Sequence, residues 1–309
     1  METRLRTIDS GYVRPGFAAC YLRIQGDEAA FVETNTSHAV PRLLDALREE
    51  GMAPEQVRWI VVTHVHLDHA GGAATLLQAC PNATLVAHPR AVRHLVDPTR
   101  LVQSSKAVYG EEVFQQLYGE IPAAPADRVR AVEDGETLEL GDAVFRFLHV
   151  RGHANHHVVV HDPARDTVYT GDAFGLAYPY LQRAGRFVFA STSPTDFDGP
   201  AAKESVDRIL GLKTKTACLT HFGELDELEA MGEQLHAWLD VSQALYERIL
   251  PLPEEEREKV AYPALLEEME RAARRRGLEL GEDDWKLLSL DMQLNAQGLA
   301  FAASRATRA

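Results

Sequence analysis

One short segment of the chain carries a high density of metal-binding side chains. Thr63-His64-Val65-His66-Leu67-Asp68-His69 places four histidine or aspartate side chains within six residues. His64 and His66 are two positions apart, so on an extended segment both rings point to the same side and can bind one ion. Asp68 and His69 follow after the chain turns and can bind a second ion. Because Zn²⁺ takes three or four such ligands, the segment predicts a metal site that is completed from elsewhere.

Three later segments offer the missing ligands, and each accompanies the end of a predicted strand. They are Gly152-His153 after a strand ending at Val150, Gly171-Asp172 after the strand Thr167 to Thr170, and Thr220-His221 at the end of the strand Ala217 to Thr220. Histidines that only pack in a core lie within strands, not in glycine-flanked loops. We therefore expect the ends of several strands to meet at one site.

A first β-rich region includes the metal-binding segment. It contains the strands Phe17 to Ile24 and Glu28 to Glu33, and then a helix that Ser37 N-caps and that runs to about Glu50. The apolar strand Val57 to Val62 follows and ends directly in Thr63-His64. A buried strand therefore delivers the first ligands to a loop.

The remaining chain divides into a second β-rich region and a helical part. A helical stretch from Pro89 to Gly119, broken by Pro98, precedes strands between Arg128 and Thr170. Strand signals disappear from Glu224 onward, where three amphipathic helices fit residues 227–249, 254–276 and 283–300. The sequence thus predicts a domain over residues 1–223 and a C-terminal helical region over residues 224–309.

Composition restricts the partners of the protein. The 309 residues are 45% hydrophobic and 25% charged, with a formal net charge of −14, which is typical of a globular protein that would repel a nucleic acid backbone. We find no apolar run that predicts a membrane span or a signal peptide, so we expect no membrane association and a cytoplasmic location. The three cysteines are widely spaced in apolar surroundings, which favours buried thiols over disulfides.

The motif and its downstream partners resemble the metallo-β-lactamase superfamily. The resemblance extends over about Phe17 to Gly223 and rests on the order of the T-H-x-H-x-D-H, Gly-His, Gly-Asp and Thr-His segments. It implies an α+β fold, the αβ/βα four-layer sandwich, in which two mixed sheets pack face to face with helices outside. It also implies a ligand set: His64, His66 and His153 for a first metal, Asp68, His69 and His221 for a second, and Asp172 as the bridge.

Within this superfamily, two features are similar to the glyoxalase II branch. Asp68 is present, as it is in glyoxalase II, lactonases and phosphodiesterases of the superfamily, and a helical region follows the last ligand. Flavodiiron proteins place a glutamate where His66 stands, so that branch is disfavoured. The transfer-RNA-processing members have basic surfaces, which this acidic chain lacks.

The resemblance also implies a reaction. Two divalent ions, Zn²⁺ first with Fe or Mn as alternatives, would lower the pKa of a shared water and make a bridging hydroxide. The hydroxide would cleave an ester, thioester, lactone or phosphoester of a small anionic substrate, with Asp68 as the catalytic residue that orients the water and receives its proton. Two other functions remain open, a mononuclear iron sulfur dioxygenase and a regulatory protein with a vestigial hydrolase site.

Several other residues have assigned or open roles. His157 follows the Gly-His segment and is expected to support a ligand from behind, the alternative being a packed strand histidine. Phe174, Tyr178 and Tyr180 follow the bridging Asp172 and are expected to line the substrate pocket, the alternative being loop packing. In the C-terminal region, apolar positions recur at three or four residues at Leu225, Leu228, Met231 and Leu235. Such a face packs on the core or on a second subunit, so a homodimer is one arrangement it allows.

Overall fold

The computed structural model describes residues 2–192 and 196–308. Within them, the strands form two six-stranded mixed sheets. The first sheet has the order β1-β2-β3-β4-β5-β6, formed by Thr3–Asp9, Ala19–Gln25, Glu28–Val32, Val57–Val61, Thr84–Ala87 and Val129–Ala131. β1, β2 and β3 pair antiparallel, and the pairs from β3 to β6 are parallel. Parallel pairing makes successive strands end at the same edge, which is where ligand loops gather.

The second sheet has the order β12-β11-β10-β9-β8-β7. Its strands are β7 Thr137–Leu140, β8 Ala143–Val150, β9 His157–Asp162, β10 Thr167–Gly171, β11 Thr216–Leu219 and β12 Gly223–Leu225. β10 and β11 pair parallel, whereas β9 with β10 and β11 with β12 pair antiparallel. β10 and β11 end just before Asp172 and His221, so two predicted ligands follow neighbouring parallel strands.

The α-helices fall into an early and a late group. The early group is α1 Val40–Glu49, α2 Leu67–Ala70, α3 Ala73–Ala79, α4 Pro89–Val96, α5 Thr99–Tyr109 and α6 Glu111–Tyr118. The late group is α7 Gly199–Leu210, α8 Leu228–Ile249, α9 Glu254–Arg275 and α10 Glu282–Arg308. As predicted, Pro98 interrupts the first group: it stands between α4 and α5 because its ring cannot continue a helix from the preceding turn.

Apolar side chains from both sheets form one core between the sheets. Tyr21 and Val32 of the first sheet belong to the same buried cluster as Phe147 and Val160 of the second. On its other face the first sheet packs against α1 and α3, through residues such as Leu43 and Leu77. The inner strands β2 to β5 are therefore covered on both faces, which explains their nearly continuous apolar sequences.

A buried ion pair links the two sheets. Nε of Arg23 on β2 lies 2.6 Å from Oδ2 of Asp162 on β9, and both side chains are fully buried. A charge in such surroundings is tolerated only when an opposite charge compensates it. The pair therefore restricts how the two sheets can align.

The chain divides into two compact units. The first comprises Met1–His149, His156–Gly171 and Thr214–Asp226, and it holds both sheets. The second comprises Val150–Asn155, Asp172–Lys213 and Glu227–Ala309, and it holds α7 to α10. The predicted α+β class, with two mixed sheets and a C-terminal helical region, is confirmed. The predicted domain boundary at residue 223 stays a prediction, and these units divide the chain at other points.

Two local expectations were wrong, and one strand was not predicted. Ser37 does not N-cap a helix: it begins a 3₁₀ turn ahead of α1, and its hydroxyl lies 3.2 Å from that of Thr75. β1 was not predicted, because its polar alternation at the edge of the sheet does not read as a core strand. β12 begins at Gly223, so strand structure continues past Glu224.

Candidate metal centre

The predicted metal-binding segment is non-helical in its first half and helical in its second half. After β4, His64 and His66 lie on non-helical backbone, and α2 then begins at Leu67. His64 is fully buried and His66 is half-buried. Nε2 of His64 lies 2.8 Å from Nδ1 of His66. Two imidazole nitrogens at this separation need a proton or a cation between them, so the pair fits a shared metal ion.

A second group lies in the same compact unit. Asp68, His69 and His221 each offer one ligand atom, and these atoms lie within 4.8 Å of one another. Oδ2 of Asp68 lies 3.4 Å from Nε2 of His221 and 3.8 Å from Nε2 of His69. One carboxylate and two imidazoles facing one point are a donor set that divalent transition metals accept.

Asp68 is in the ionised form, which is the form that binds a metal ion. Burial by itself would raise the pKa of this carboxyl group, but the charge of His69, a hydrogen bond from His221 and the charge of His66 outweigh it. The pKa of Asp68 is therefore held well below its usual range. The carboxylate remains ionised at neutral pH.

Neighbouring oxygen atoms fix the orientation of three rings. Nδ1 of His221 lies 2.8 Å from the carbonyl oxygen of Phe17, and Nδ1 of His64 lies 3.0 Å from Oγ1 of Thr63. With its proton on Nδ1, each ring presents the lone pair of Nε2 to the site. His69 obtains the same orientation from a carboxylate.

That carboxylate belongs to Glu33, which the sequence analysis missed. Glu33 is 1% exposed, and its Oε2 lies 3.3 Å from Nδ1 of His69. Its other oxygen accepts a hydrogen bond of 3.2 Å from the backbone N–H of Thr63. A carboxylate behind a histidine is typical of metal sites, where it fixes the tautomer of the ligand. The detectable signal was an acidic residue directly after the apolar strand β3.

The two residues after Glu33 hold the backbone of the segment. The carbonyl oxygen of His69 accepts hydrogen bonds from the backbone N–H and the hydroxyl of Thr34, at 3.0 and 2.9 Å. Nδ2 of Asn35 donates to the carbonyl oxygen of Asp68 at 2.8 Å. Glu33 and Asn35 both have positive φ, at 69° and 53°. Such conformations cost free energy and recur at functional sites.

His157 and Gly171 pack directly behind His64. The ring of His157, at the start of β9, stacks on His64 with centroids 4.7 Å apart and planes 18° apart. A Cβ atom at Gly171 would lie 2.4 Å from Oγ1 of Thr63 and 2.7 Å from Nε2 of His157. Only glycine fits there, which is the reason for the Gly171-Asp172 pair. The supporting role of His157 stays a prediction.

The other two predicted ligands meet in the second unit. Nε2 of His153 lies 3.5 Å from Oδ2 of Asp172, and both residues are buried. The loop that carries His153 is packed tightly on α7, since a Cβ atom at Gly152 would lie 2.2 Å from the backbone nitrogen of Ala202. The first unit thus brings together five predicted ligands and the second unit two.

The predicted substrate residues are largely enclosed. Phe174 and Tyr178 are fully buried, and Tyr178 donates a hydrogen bond of 2.9 Å to Oδ1 of Asp291 on α10. Tyr180 is half-buried and stacks on Tyr178, with centroids 5.6 Å apart. These contacts are packing contacts, and a role in substrate binding stays a prediction.

A further histidine pair lies on the first unit. The rings of His88 and His149 have centroids 4.1 Å apart, and Nδ1 of His88 accepts a hydrogen bond from the backbone N–H of Arg90. Burial, together with the charges of His149 and His156, lowers the pKa of His88 from 6.5 to about 4. His88 is therefore neutral at physiological pH.

Two expectations from composition can be compared with the structure. All three cysteines are buried and free, which confirms the predicted buried thiols. Within residues 2–192 and 196–308, no helix combines the length and the apolar character that a membrane span requires.

Comparison with known proteins identifies relatives of the chain. The family model described as the metallo-beta-lactamase superfamily matches residues 13–221. The metallo-beta-lactamase fold-containing protein ST1585 of Sulfurisphaera tokodaii is 30% identical over 189 residues, which are 60% of this chain and 67% of that protein. The acyl-coenzyme A thioesterase MBLAC2 of Bos taurus is 28% identical over 125 residues, but the match spans only 39% of its length and 36% of this chain.

Solved structures extend the likeness to nearly the whole chain. The crystal structure of ST1585 has a TM-score of 0.65 at 23% identity, and the match covers 96% of this chain and 97% of that one. The metallo-beta-lactamase family protein TTHA1429 of Thermus thermophilus has a TM-score of 0.65 at 21% identity, covering 99% and 93%. At this identity the likeness establishes the fold.

Proposed function

The chain belongs to the metallo-β-lactamase superfamily, and we propose that it is a metal-dependent hydrolase of the glyoxalase II-like branch. The observation that carries this proposal is the group of Asp68, His69 and His221, whose ligand atoms lie within 4.8 Å of one another. A solvent-exposed acidic cluster would not have this form, because His69 and His221 are buried.

We assign the seven ligands to two ions. His64, His66 and His153 would bind the first ion, Asp68, His69 and His221 the second, and Asp172 would bridge them. Support comes from the close pairs His64–His66 and His153–Asp172 and from chain continuity, since Asp172 directly follows Gly171. Bound divalent ions would lower the pKa of water and polarise the substrate oxygen, and Zn²⁺ suits this nitrogen-rich set.

The chain's own groups would prepare the site for this chemistry. Asp68 is ionised, so its carboxylate can accept a hydrogen bond from a water molecule and orient it. Because its pKa is low, it is a weak proton acceptor, and the orienting role is the one that its charge state supports. Glu33 and the carbonyl oxygen of Phe17 hold His69 and His221 in one tautomer, so both rings are oriented before a metal ion binds. Preorganisation of this kind lowers the cost of reaching the transition state.

We propose an ester, thioester, lactone or phosphoester of a small anionic molecule as the substrate. The relative from Bos taurus is named as an acyl-coenzyme A thioesterase, which supports a thioester as the first compound to test. Asp68 and the helices after His221 support the glyoxalase II-like assignment. The cytoplasmic location belongs to the same proposal.

The test is hydrolysis by protein of known metal content. Chelated protein is assayed against a thioester, a lactone, a β-lactam and a phosphodiester, before and after addition of Zn²⁺, Mn²⁺ or Fe²⁺. We expect hydrolysis of at least one compound after metal addition, and a loss of at least about 100-fold in Asp172→Ala. Asp207→Ala, which changes an exposed aspartate on α7, is the matched control and should retain activity. Oxygen consumption with iron and no hydrolysis of any compound would contradict the proposal.

A further inference from the structure

A short loop with a fixed conformation connects β1 to β2. It comprises residues 10–18, and we call it the β1–β2 loop. The carboxylate of Asp9 closes its turn by accepting hydrogen bonds from the backbone N–H groups of Gly11 and Gly16, at 2.9 and 2.8 Å. Val13, within this turn, has a φ of 59° and is 54% exposed. A β-branched residue in this conformation costs free energy, and such strain recurs at functional sites.

The end of the β1–β2 loop lies against a proposed metal ligand. The carbonyl oxygen of Phe17 lies 2.8 Å from Nδ1 of His221. The two rings also meet edge to face, with centroids 5.2 Å apart and planes 78° apart. Phe17 therefore contacts the ligand through its backbone and through its side chain.

Tyr12 extends this contact to the metal-binding segment itself. Its half-buried ring has its centroid 6.1 Å from that of Tyr118 on α6. Tyr12 packs against a buried apolar cluster that contains both Tyr118 and Leu67. Leu67 directly precedes Asp68 at the start of α2. The β1–β2 loop thus lies beside the proposed second metal position at two points, near His221 and near Asp68.

The group of ligands at this position is open to solvent at Asp68. The side chain of Asp68 is 27% exposed, whereas those of His69 and His221 are 0% and 4% exposed. A substrate of the proposed hydrolase would therefore approach the centre from the side of Asp68. All these residues belong to the first compact unit, as does the β1–β2 loop that borders this opening.

Arg14 places a positive charge on the β1–β2 loop. Its guanidinium carbon lies over the ring of Phe17, 5.0 Å from the centroid. Arg14 is half-buried, and two successive contacts, through Phe17, connect it to His221. A guanidinium that faces an aromatic ring directs its N–H donors to the sides, where they match the two oxygens of a carboxylate or phosphate. The geometry suits an anion that lies beside the metal centre.

We propose that Arg14 binds the negative charge of the substrate and thereby selects it. The inference rests on the proposed function and names its substrate class: an ester or thioester with a carboxylate or phosphate group remote from the bond that is cleaved. The chain as a whole carries a formal charge of −14, so an anionic substrate requires local positive charge to bind. Arg14 is thus a specificity residue, whereas the chemistry belongs to the metal centre.

Binding of dicarboxylates to the zinc-loaded protein tests Arg14 without any reaction. Glutarate, adipate and suberate are titrated calorimetrically, each beside its own monomethyl ester. Both compounds of a pair offer one carboxylate to the metal centre, but only the diacid offers a second one to Arg14. We expect at least one diacid to bind at least about 10-fold more tightly than its monoester. The chain length with the largest difference indicates the span from the metal centre to Arg14.

Variants assign this preference to one side chain. Arg14→Met retains an apolar contact with the ring of Phe17 but removes the charge, so the diacid should lose its advantage. Arg14→Lys should restore part of it, and Arg146→Met, which changes an exposed arginine on β8, should retain all of it. Elemental analysis should find equal zinc content in all these proteins. An unmodified protein without a preference for any diacid, or a preference that survives in Arg14→Met, would overturn the proposal.

Steady-state kinetics separates this inference from the proposed function. The substrates are the acetyl thioester of a mercaptocarboxylic acid of the selected length and the methyl ester of that compound. Arg14→Met should raise KM for the anionic thioester about 10-fold, with smaller effects on kcat and on the KM of the methyl ester. Equal changes for both compounds would contradict the role of Arg14. If the unmodified protein hydrolyses neither thioester nor any other compound, the proposed function fails, and the diacid titration still decides whether Arg14 binds an anion.

Discussion

Glu33 and His69 form a buried pair in which Oε2 of the carboxylate lies 3.3 Å from Nδ1 of the ring. Because Glu33 also accepts the backbone N–H of Thr63, one side chain holds both the beginning and the end of the metal-binding segment. One buried carboxylate outside the motif thus contacts both ends of the segment that carries the proposed ligands.

Replacing the carboxylate of Glu33 should weaken the binding of the second metal ion. In Glu33→Gln the ring of His69 loses its charged partner, and we expect the affinity for the second equivalent of Zn²⁺ to fall about 10- to 100-fold. Calorimetric titration of chelated protein measures both equivalents. Glu139→Gln, at an exposed position on β7, should titrate like the unmodified protein. Equal affinities for Glu33→Gln and the unmodified protein would show that the pair does not position the ligand.

Gly171 should tolerate no larger residue. Gly171→Ala places a methyl group within 2.4 Å of Thr63 Oγ1, at a φ of +52°. We expect a loss of at least about 2 kcal/mol in the free energy of unfolding, measured by urea denaturation. Gly135→Ala provides the comparison, because its φ is +81° but no atom lies within 4 Å. It should lose only the cost of the backbone conformation, about 1 kcal/mol. Equal losses in both variants would refute the steric explanation.

Removing one partner of the ion pair between the sheets should destabilise the protein. Asp162→Asn leaves the guanidinium of Arg23 buried without a compensating charge, so we expect a loss of about 3–5 kcal/mol in the free energy of unfolding. The double substitution Arg23→Met with Asp162→Leu removes both charges and should recover most of that loss. If the double variant is less stable than Asp162→Asn, the penalty does not arise from an uncompensated charge.

His88 should contribute to loss of stability in acid. Its pKa is lowered to about 4 in the folded protein, so between 6.5 and that value the unfolded chain binds the additional proton. Stability is therefore complete above pH 6.5 and falls as the pH drops through this window. His88→Asn keeps a side-chain acceptor for the helix N-terminus and removes the titration. Urea denaturation at about pH 7 and about pH 5 should show a smaller loss in His88→Asn than in the unmodified protein or in His38→Asn, which changes an exposed histidine. An equal loss in all three would exclude this contribution.

The sequence predicts elements best where burial is extensive. The predicted strands Glu28 to Glu33, Val57 to Val62 and Thr167 to Thr170 agree with β3, β4 and β10 to within one residue, because their apolar positions run nearly continuously. β1 was not predicted because its arginines pair with Glu49 and Glu50, which are distant in the sequence. A local sequence pattern does not reveal such contacts. The position of this edge strand therefore depends on contacts with residues that are distant in the sequence.

The candidate site was partly predictable for a similar reason. The ligands of the motif are close together in the sequence, so their spacing alone predicted that their side chains bind metal ions together. Glu33 lies 36 residues upstream of His69, and its one local signal is its position directly after the apolar strand β3. Its backbone at the end of β3 has a positive φ of 69°. Local propensity does not predict that conformation for glutamate.

Metal stoichiometry tests the central claim most directly. Elemental analysis of metal-replete protein should find about two transition-metal ions per chain, and His69→Ala should retain about one. His38→Ala, at an exposed position, should retain both. A stoichiometry that never exceeds one ion in the unmodified protein, or two ions retained by His69→Ala, would contradict the proposed dinuclear site.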